Sequence, residues 1–476
     1  MLLILTFLPF LGALIILLIA KVGSKKEIQK FSLFWSLLIF NLSILLLFSF
    51  DPTISLYQIQ FESHWIFSLN SLASFAVDGL SLCLLLLTSF LIPICIILSW
   101  NSSVFAKAKE YVMAFFLLES ILFGVFCSVD ILIFYLFFEA VLIPMFIILG
   151  IFGSRERRVR AAYLLFLYTL FSSIFMFLAI LFIYYKTGTT QYILLKNLQF
   201  DSIEEKFCWL CFFFSFAVKM PLMPFHIWLP EAHCEAPTAG SVILAGILLK
   251  LGGYGFLRFS IGLFPESSAF FTPLIFVISI FGVVYASITT LQQVDLKKII
   301  AYSSIGHMGM VTIGIFSGNC QGISGSILLM ISHGIISSGL FLCVGFLYER
   351  HNTRIVKYYS GLAHTMPLFS ICFVAFSLGN IGLPVTSSFI GEFLIIVACF
   401  EINSWVALIA CAGLILGASY SLWLLNRILY GNQKNQYINK FKDITRIEAY
   451  ILFPFLFLTF YFGVFPEIII NNITIY

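Results

Sequence analysis

Charge is what this sequence has least of. Lysine, arginine, aspartate and glutamate together make up 10% of its 476 residues, while 61% are hydrophobic. A soluble domain carries about 25% charged residues to face water, so a water-soluble globule is excluded and the class is an all-α polytopic membrane protein. No long basic block with interleaved aromatics is present. The formal net charge of +4 is therefore no nucleic-acid footprint.

Other absences narrow the chemistry. There is no P-loop and no GxGxxG opening a helix after a strand, so no nucleotide site is expected. Gly252-Gly253-Tyr254-Gly255 reads as a packing feature. There is no cysteine quartet for an iron–sulfur cluster. Most of the 11 cysteines, such as Cys83, Cys95, Cys127, Cys343, Cys372 and Cys411, lie in apolar runs. Cys208 and Cys211 form a CxxC, but they open an apolar span without a second ligand pair, so no metal site is expected. Met1 to Ala20 lacks a preceding positive region and a clear cleavage site, and reads as a first span with no transit peptide.

What is present is a series of apolar runs of membrane-spanning length. They predict fourteen helices at 2–20, 31–50, 80–100, 111–128, 130–150, 161–185, 208–229, 240–263, 272–291, 299–316, 322–348, 366–399, 405–430 and 449–470. Spans four and five are so close that they should form an antiparallel hairpin, with Asp130 as a helix cap. Twenty of the 26 lysines and arginines follow odd-numbered spans and four follow even-numbered ones; Lys219 and Lys250 lie within spans. The positive-inside rule then puts both termini on the outer side. Segment 51–79 has no Lys or Arg and is expected outside, with a hairpin around Ile59 to Leu69.

Two spans are broken by proline, the seventh at Pro221 and Pro224 and the twelfth at Pro384. An offset of five spans reverses direction across the membrane. Spans 4–8 and 9–13 then read as two inverted five-helix repeats, each with a broken helix in fourth position, the layout of transporters with a midplane ion site. The single membrane domain, 1–476, divides into 1–110 (spans one to three), 111–263 (first repeat), 272–430 (second repeat) and 449–476 (last span).

Lys219, Lys250, Glu139 and Glu392 are ionisable groups inside these spans. Each costs about 2.5–3.5 kcal/mol on insertion scales, and such groups mark ion paths. Lys219, just before the first break, has Glu139 as its natural partner. Lys250 sits deep in span eight among Gly246, Gly252, Gly253 and Gly255, which allow close packing or water entry. His307 and His333 lie in adjacent spans and are suited either to relay protons or to hydrogen-bond a neighbour. Ser303, Ser304, Ser332, Ser337 and Ser338 are candidates for holding water. Glu119 is an accessory candidate, able to tune Glu139 or to pair with a neighbouring subunit. His226, Glu231, His233 and Glu235 fit no standard zinc spacing and read as the inner mouth of the path.

The stretch Phe216-Ala-Val-Lys219-Met-Pro221-Leu-Met-Pro224-Phe-His226-Ile-Trp228-Leu-Pro230-Glu-Ala-His233, continuing through Ala236-Pro237-Thr238 to Lys250, resembles the proton-translocating membrane subunits of respiratory complex I. These are similar in turn to subunits of multisubunit sodium–proton antiporters. Phe134-Tyr135-Leu-Phe-Phe138-Glu139, Asp295-Leu-Lys297-Lys298 through His307-Met308-Gly309, Ser332-His333-Gly334 and Gly391-Glu392-Phe393 carry the same resemblance over spans four to twelve. A glutamate at 392, where related members carry lysine, and the lack of a long lateral helix after span fourteen point to one member of that family. Its 56 phenylalanines and the Gly-Glu-Phe context suit a mitochondrial gene.

The resemblance implies Glu139 and Lys219 as a coupled input pair, Lys250 as central relay, Glu392 as output carboxylate, and His307 and His333 on the polar axis between them. It implies that NADH, FMN, iron–sulfur clusters and ubiquinone are bound by other subunits of a complex and that this chain has no redox centre. It also implies other membrane-arm subunits, antiporter-like ones among them, and membrane lipids such as cardiolipin as partners, in the mitochondrial inner membrane with the termini in the intermembrane space. The rivals are a cation–proton antiporter subunit, which needs no redox partner, and a structural scaffold of the membrane arm.

Overall fold

The computed structural model describes residues 2–19, 25–54, 57–66, 71–100, 108–433 and 442–473. Lys21, Lys107, Lys434 and Lys440, which enter the orientation argument, and Leu69, the expected end of the outer hairpin, lie outside the described residues.

In hydrocarbon the backbone must satisfy its own hydrogen bonds, so apolar runs become helices. The chain begins with α1 (Leu2–Ile19) and α2 (Lys25–Ser49). The outer segment is a hairpin of antiparallel strands, β1 (Gln58–Ile66) and β2 (Ser71–Val77), longer on the far side than the sequence suggested. Asp78 caps α3 (Gly79–Leu98) in a reciprocal box: Ser81 N donates to Asp78 Oδ1 at 3.1 Å and Asp78 N donates to Ser81 Oγ at 2.8 Å. α4 (Ala108–Cys127) turns at once into α5 (Ile131–Ala140) and packs against it. Asp130 caps α5 by accepting from Leu132 N at 2.8 Å and Ile133 N at 3.2 Å, the role read for it in the sequence. α6 (Leu142–Phe152) continues that helix; α7 (Arg158–Thr187), α8 (Tyr192–Lys196) and α9 (Ser202–Lys219) follow.

α9 stops at Lys219. Residues 220–227 are non-helical, with a cis Met223–Pro224 peptide, and α10 (Trp228–Glu235) resumes beyond them. α11 (Thr238–Ile243) and α12 (Leu249–Gly255) are then joined by a π-helical turn at Leu244–Leu248, and a second π-turn follows at Phe256–Ile261. The sequence predicts one regular helix over 240–263; the widened turns have no periodicity signal. Its glycines do serve close packing: a Cβ on Gly252 would stand 2.7 Å from Met220 Cβ and 2.9 Å from Phe216 O.

The second half holds α13 (Pro265–Gln292), α14 (Leu296–Ile315), α15 (Cys320–His351), the short α16 (Leu362–Thr365), α17 (Pro367–Ile381), α18 (Ser387–Ile402), α19 (Ser404–Leu429), α20 (Arg446–Val464) and α21 (Glu467–Ile473). α17 and α18 are separated by the break around Pro384, where Gly382 has φ +78° and Val385 φ +79°. α20 closes on that break. Gly463 lies so near the Val385 carbonyl that a side chain there would overlap it.

Ten helical segments among the described residues are long and apolar enough to cross a membrane, and α1 and α17 are shorter apolar helices. The chain is a multi-pass helical membrane protein. α9 and α14 stand outside those ten. α9 carries Glu204, Glu205, Lys206 and Lys219 within 18 residues, and α14 is diluted by lysines, serines and His307. The apolar windows of Thr238–Ile261 and of α15 are entirely buried. α15 packs on α11, the first π-turn, α14, α17 and α18. These two central elements carry Lys250 and His333.

Candidate functional site

Four side chains from four helices meet in the middle of the molecule. Lys250, fully buried on α12, donates from Nζ to His333 Nδ1 on α15 at 2.9 Å. Its ammonium also donates to the Ala245 carbonyl, inside the π-turn. A π-turn shifts the backbone acceptor from i−4 to i−5 and displaces carbonyls from the regular ladder. Here one of them accepts from the buried Lys250 amine.

The His333 ring stands 5.6 Å from the His307 ring on α14, centre to centre. A cavity with room for about one water lies between them, lined by His307, His333, Asn380 and Ser388 among others. His307 Nδ1 is 3.2 Å from Glu392 Oε1 on α18, a close approach that departs from a straight N–H···O line. The other ring nitrogen, Nε2, is 3.1 Å from Asn380 Oδ1 at the end of α17. Glu392 is 3% exposed. The second break receives its carboxylate: Gly382 leaves the space that Glu392 Oε2 fills. Lys250, His333, His307 and Glu392 thus form a row through the interior in which Lys250, His333 and Glu392 are buried and His307 is 11% exposed.

Lys219 stands apart from that row, at the first break. Its ammonium donates to the Phe138 carbonyl at 2.8 Å and sits 3.7 Å from the centre of the Phe138 ring. No ion pair within 4 Å joins it to Glu139. The side chain reaches the peptide just before that residue, because α5 presents the carbonyl toward the break while Glu139 Oε2 stays buried without a partner. A small cavity beside Lys219 is lined by Thr169, Trp228, Leu244 and Leu248, so it borders the π-turn that serves Lys250.

The accessory candidates diverge. Glu119 is completely buried, and neither of its oxygens has a hydrogen-bond partner. It is therefore closed to a neighbouring subunit, contrary to one of the two roles expected for it. His233 is fully buried and stacked on Phe341 at 4.6 Å. His226 lies by Tyr285 and Tyr302. Glu231 pairs with Lys298 at 2.8 Å, and Glu235 lies 3.8 Å from Arg354. Each of the four thus has neighbours of its own. The candidate hydroxyls are engaged as well: Ser303, Ser304, Ser332 and Ser337 donate to carbonyls within their own helices, and Ser338 donates to Val242 O.

Sequence reasoning missed Asn380 and Tyr420. Asn380 Nδ2 is 3.4 Å from the Tyr420 hydroxyl on α19, and both residues line a cavity that also touches His307. The signal was a lone amide beside a helix break and a polar trio, Ser419-Tyr420-Ser421, in an apolar span. The sequence also left unassigned the outer contact of Arg258. This residue pairs with Asp78 at 2.6 Å and donates to the Tyr57 hydroxyl at 2.8 Å, tying the hairpin to the second π-turn. Among the described residues, no group of three His, Cys, Asp or Glu is arranged to hold a metal ion.

Buried cations, imidazoles and a carboxylate beside two broken helices define a class: multi-pass membrane proteins with an intramembrane polar axis. The chain belongs to the NADH:quinone oxidoreductase/Mrp antiporter transmembrane family, whose model matches residues 128–417. It is 54% identical to NADH-ubiquinone oxidoreductase chain 4 of Marchantia polymorpha over 467 residues, 98% of this chain and 94% of that one. It is 54% identical to chain 4 of Chondrus crispus, with the same coverage, and 53% identical to that of Arabidopsis thaliana over 97% of this chain and 93% of that one. Among solved structures it is similar to a chain of respiratory complex I from Thermus thermophilus with bound NADH. That match has a TM-score of 0.90 and 28% identity over 100% of this chain and 98% of the other. A chain of the archaeal membrane-bound sulfane sulfur reductase, at 21% identity and TM-score 0.85 over 100% of this chain and 96% of that one, shares the fold.

Proposed function

We propose that this chain is the counterpart of NADH-ubiquinone oxidoreductase chain 4, a proton-translocating subunit in the membrane arm of a respiratory complex I. Electron transfer from NADH to ubiquinone takes place on other subunits, which hold the redox groups. This chain moves protons in response. The observation that carries the reading is the row Lys250–His333–His307–Glu392, with a cavity beside Lys219 that borders the π-turn leading into Lys250.

In this reading Glu139 and Lys219 receive the electrostatic signal and change the charge that Lys250 feels. The proton then passes by way of His333 and His307 to Glu392. A shared proton needs donor and acceptor within hydrogen-bond reach or one water apart; the 2.9 Å Lys250–His333 contact, the cavity that both histidines line and the 3.2 Å His307–Glu392 approach support the reading. Fourteen spans, with 4–8 and 9–13 as inverted repeats, place the breaks at Pro221–Pro224 and Pro384 in equivalent positions. The termini face the intermembrane space across the mitochondrial inner membrane. Neighbouring antiporter-like subunits and lipids, cardiolipin among them, surround the chain.

The test is proton-to-electron stoichiometry of the purified complex in proteoliposomes with Lys250→Ala or Glu392→Gln. The reading requires assembled complex with lowered pumping. Normal stoichiometry in both variants overturns it.

A further inference from the structure

We infer that Asn380, held by Tyr420, is a positioning residue that fixes the His307 tautomer and so obliges the His307–Glu392 pair to keep one exchangeable proton. The inference deepens the relay reading and takes its functional meaning from it.

The argument is one of donors and acceptors. An amide oxygen accepts and never donates. Asn380 Oδ1 lies 3.1 Å from His307 Nε2, so Nε2 carries a hydrogen. At its other end the amide is held in place by Tyr420, to whose hydroxyl Nδ2 donates at 3.4 Å. With Nε2 protonated, Nδ1 of neutral His307 carries no hydrogen, and that atom lies 3.2 Å from Glu392 Oε1, with the oxygen to one side of its lone-pair axis. An ionised Glu392 would then hold a desolvated carboxylate oxygen beside a nitrogen that has no hydrogen to offer it, which is costly. One proton removes the conflict, carried either as the carboxylic O–H or as Nδ1–H of an imidazolium. Passage between the two breaks the O–H bond as the N–H bond forms, and the pair's total charge stays the same.

The other titratable groups facing the pair are His333 on α15, with Lys250 behind it on α12, and Tyr420 on α19; α13 presents Ser287. His333 Nδ1 is taken by the Lys250 ammonium, so its Nε2 is the nitrogen free to exchange with the cavity toward His307. The lock on His307 thus sets how many protons the end of the row holds before it releases one.

Without the acceptor, His307 is free to adopt the Nδ1–H tautomer and donate to an ionised Glu392. The deprotonated pair is then stabilised and gives up its proton more readily. Asn380→Leu is expected to weaken proton affinity about tenfold, moving the midpoint about one unit to lower pH. The measurement is an infrared pH titration of the Glu392 carboxyl in the intact resting complex, taken as the difference between each protein and its Glu392→Gln form. The alkaline limb of the pumping profile in proteoliposomes is followed in parallel.

Tyr420→Phe should shift the midpoint in the same direction by less, and Asn380→Asp, which keeps an oxygen acceptor, should not shift it down. An unmoved midpoint in assembled Asn380→Leu overturns the inference. So does an unmoved midpoint in Tyr420→Phe if the leucine variant fails to assemble. The titration needs no turnover, so the two readings separate. A moved midpoint with unchanged pumping keeps the lock and defeats the relay, and an unmoved midpoint defeats the lock whatever pumping does.

Discussion

The imidazoles of His307 and His333 stand 5.6 Å apart with their planes inclined by 52°, and each holds a different charged side chain on its far side. His333 meets Lys250, and His307 meets Glu392. The two histidines therefore join a buried cation to a buried carboxylate that have no direct contact. Removing either end should cost about as much as removing the middle. His333→Ala and Lys250→Ala are each expected to lower pumping at least about tenfold per assembled complex, and the double variant should cost little more than either alone. Proton uptake by proteoliposomes, normalised to complex assembled on native gels, checks this; additive losses would contradict it.

Lys219 and Glu139 make the complementary case. The ammonium is held by the Phe138 carbonyl rather than by the Glu139 carboxylate. Lys219→Ala removes the cation and empties the site beside the Phe138 ring, so pumping should fall at least about tenfold while the break persists. Glu139→Gln keeps the shape and should reduce pumping without altering assembly. Equal pumping by Glu139→Gln and the parent at every ionic strength would remove Glu139 from the input.

Gly382 should be intolerant of any side chain for two separable reasons. Its φ of +78° costs an L-residue about 1 kcal/mol or more, and a Cβ would overlap the Glu392 carboxylate. Gly188 supplies the control, since its φ is +69° but nothing lies within 4 Å of its Cβ position. Gly188→Ala is expected to lower thermal stability slightly and leave pumping intact. Gly382→Ala should lower pumping as well. Equal behaviour of the two variants would mean that the carboxylate does not depend on that space.

The outer hairpin should loosen when its anchor is cut. Arg258 and Asp78 are paired at 2.6 Å and largely buried. Breaking one partner of such a pair strands the other, at about 3–5 kcal/mol. Arg258→Met is expected to raise hydrogen exchange across Gln58–Ile66 and Ser71–Val77, and adding Asp78→Asn should recover part of the loss. Unchanged exchange in Arg258→Met would show that the hairpin is held by its own packing.

Much of this architecture was legible because hydrocarbon enforces simple rules. Apolar length marked the helices, proline marked the breaks at Pro221, Pro224 and Pro384, and the cost of a buried charge singled out Lys219, Lys250, Glu139 and Glu392. The π-turns around Lys250 were not legible, since they arise from tertiary packing and leave no periodic trace. Nor was the preference of Lys219 for a carbonyl over Glu139. That choice depends on how α5 meets the first break, a geometry that spacing along the chain does not encode. Asn380 was visible as a residue but not as a partner, because its value lies in which nitrogen of His307 it touches.

The fit of Gly463 against the Val385 carbonyl has a consequence for biosynthesis. Until α20 arrives, the unwound peptide between α17 and α18 has no cover on that side, and raw backbone is poorly tolerated by acyl chains. The second half of the molecule therefore cannot be sealed while α20 is still emerging from the ribosome. A nascent chain halted short of residue 463 would be a natural substrate for membrane quality-control proteases.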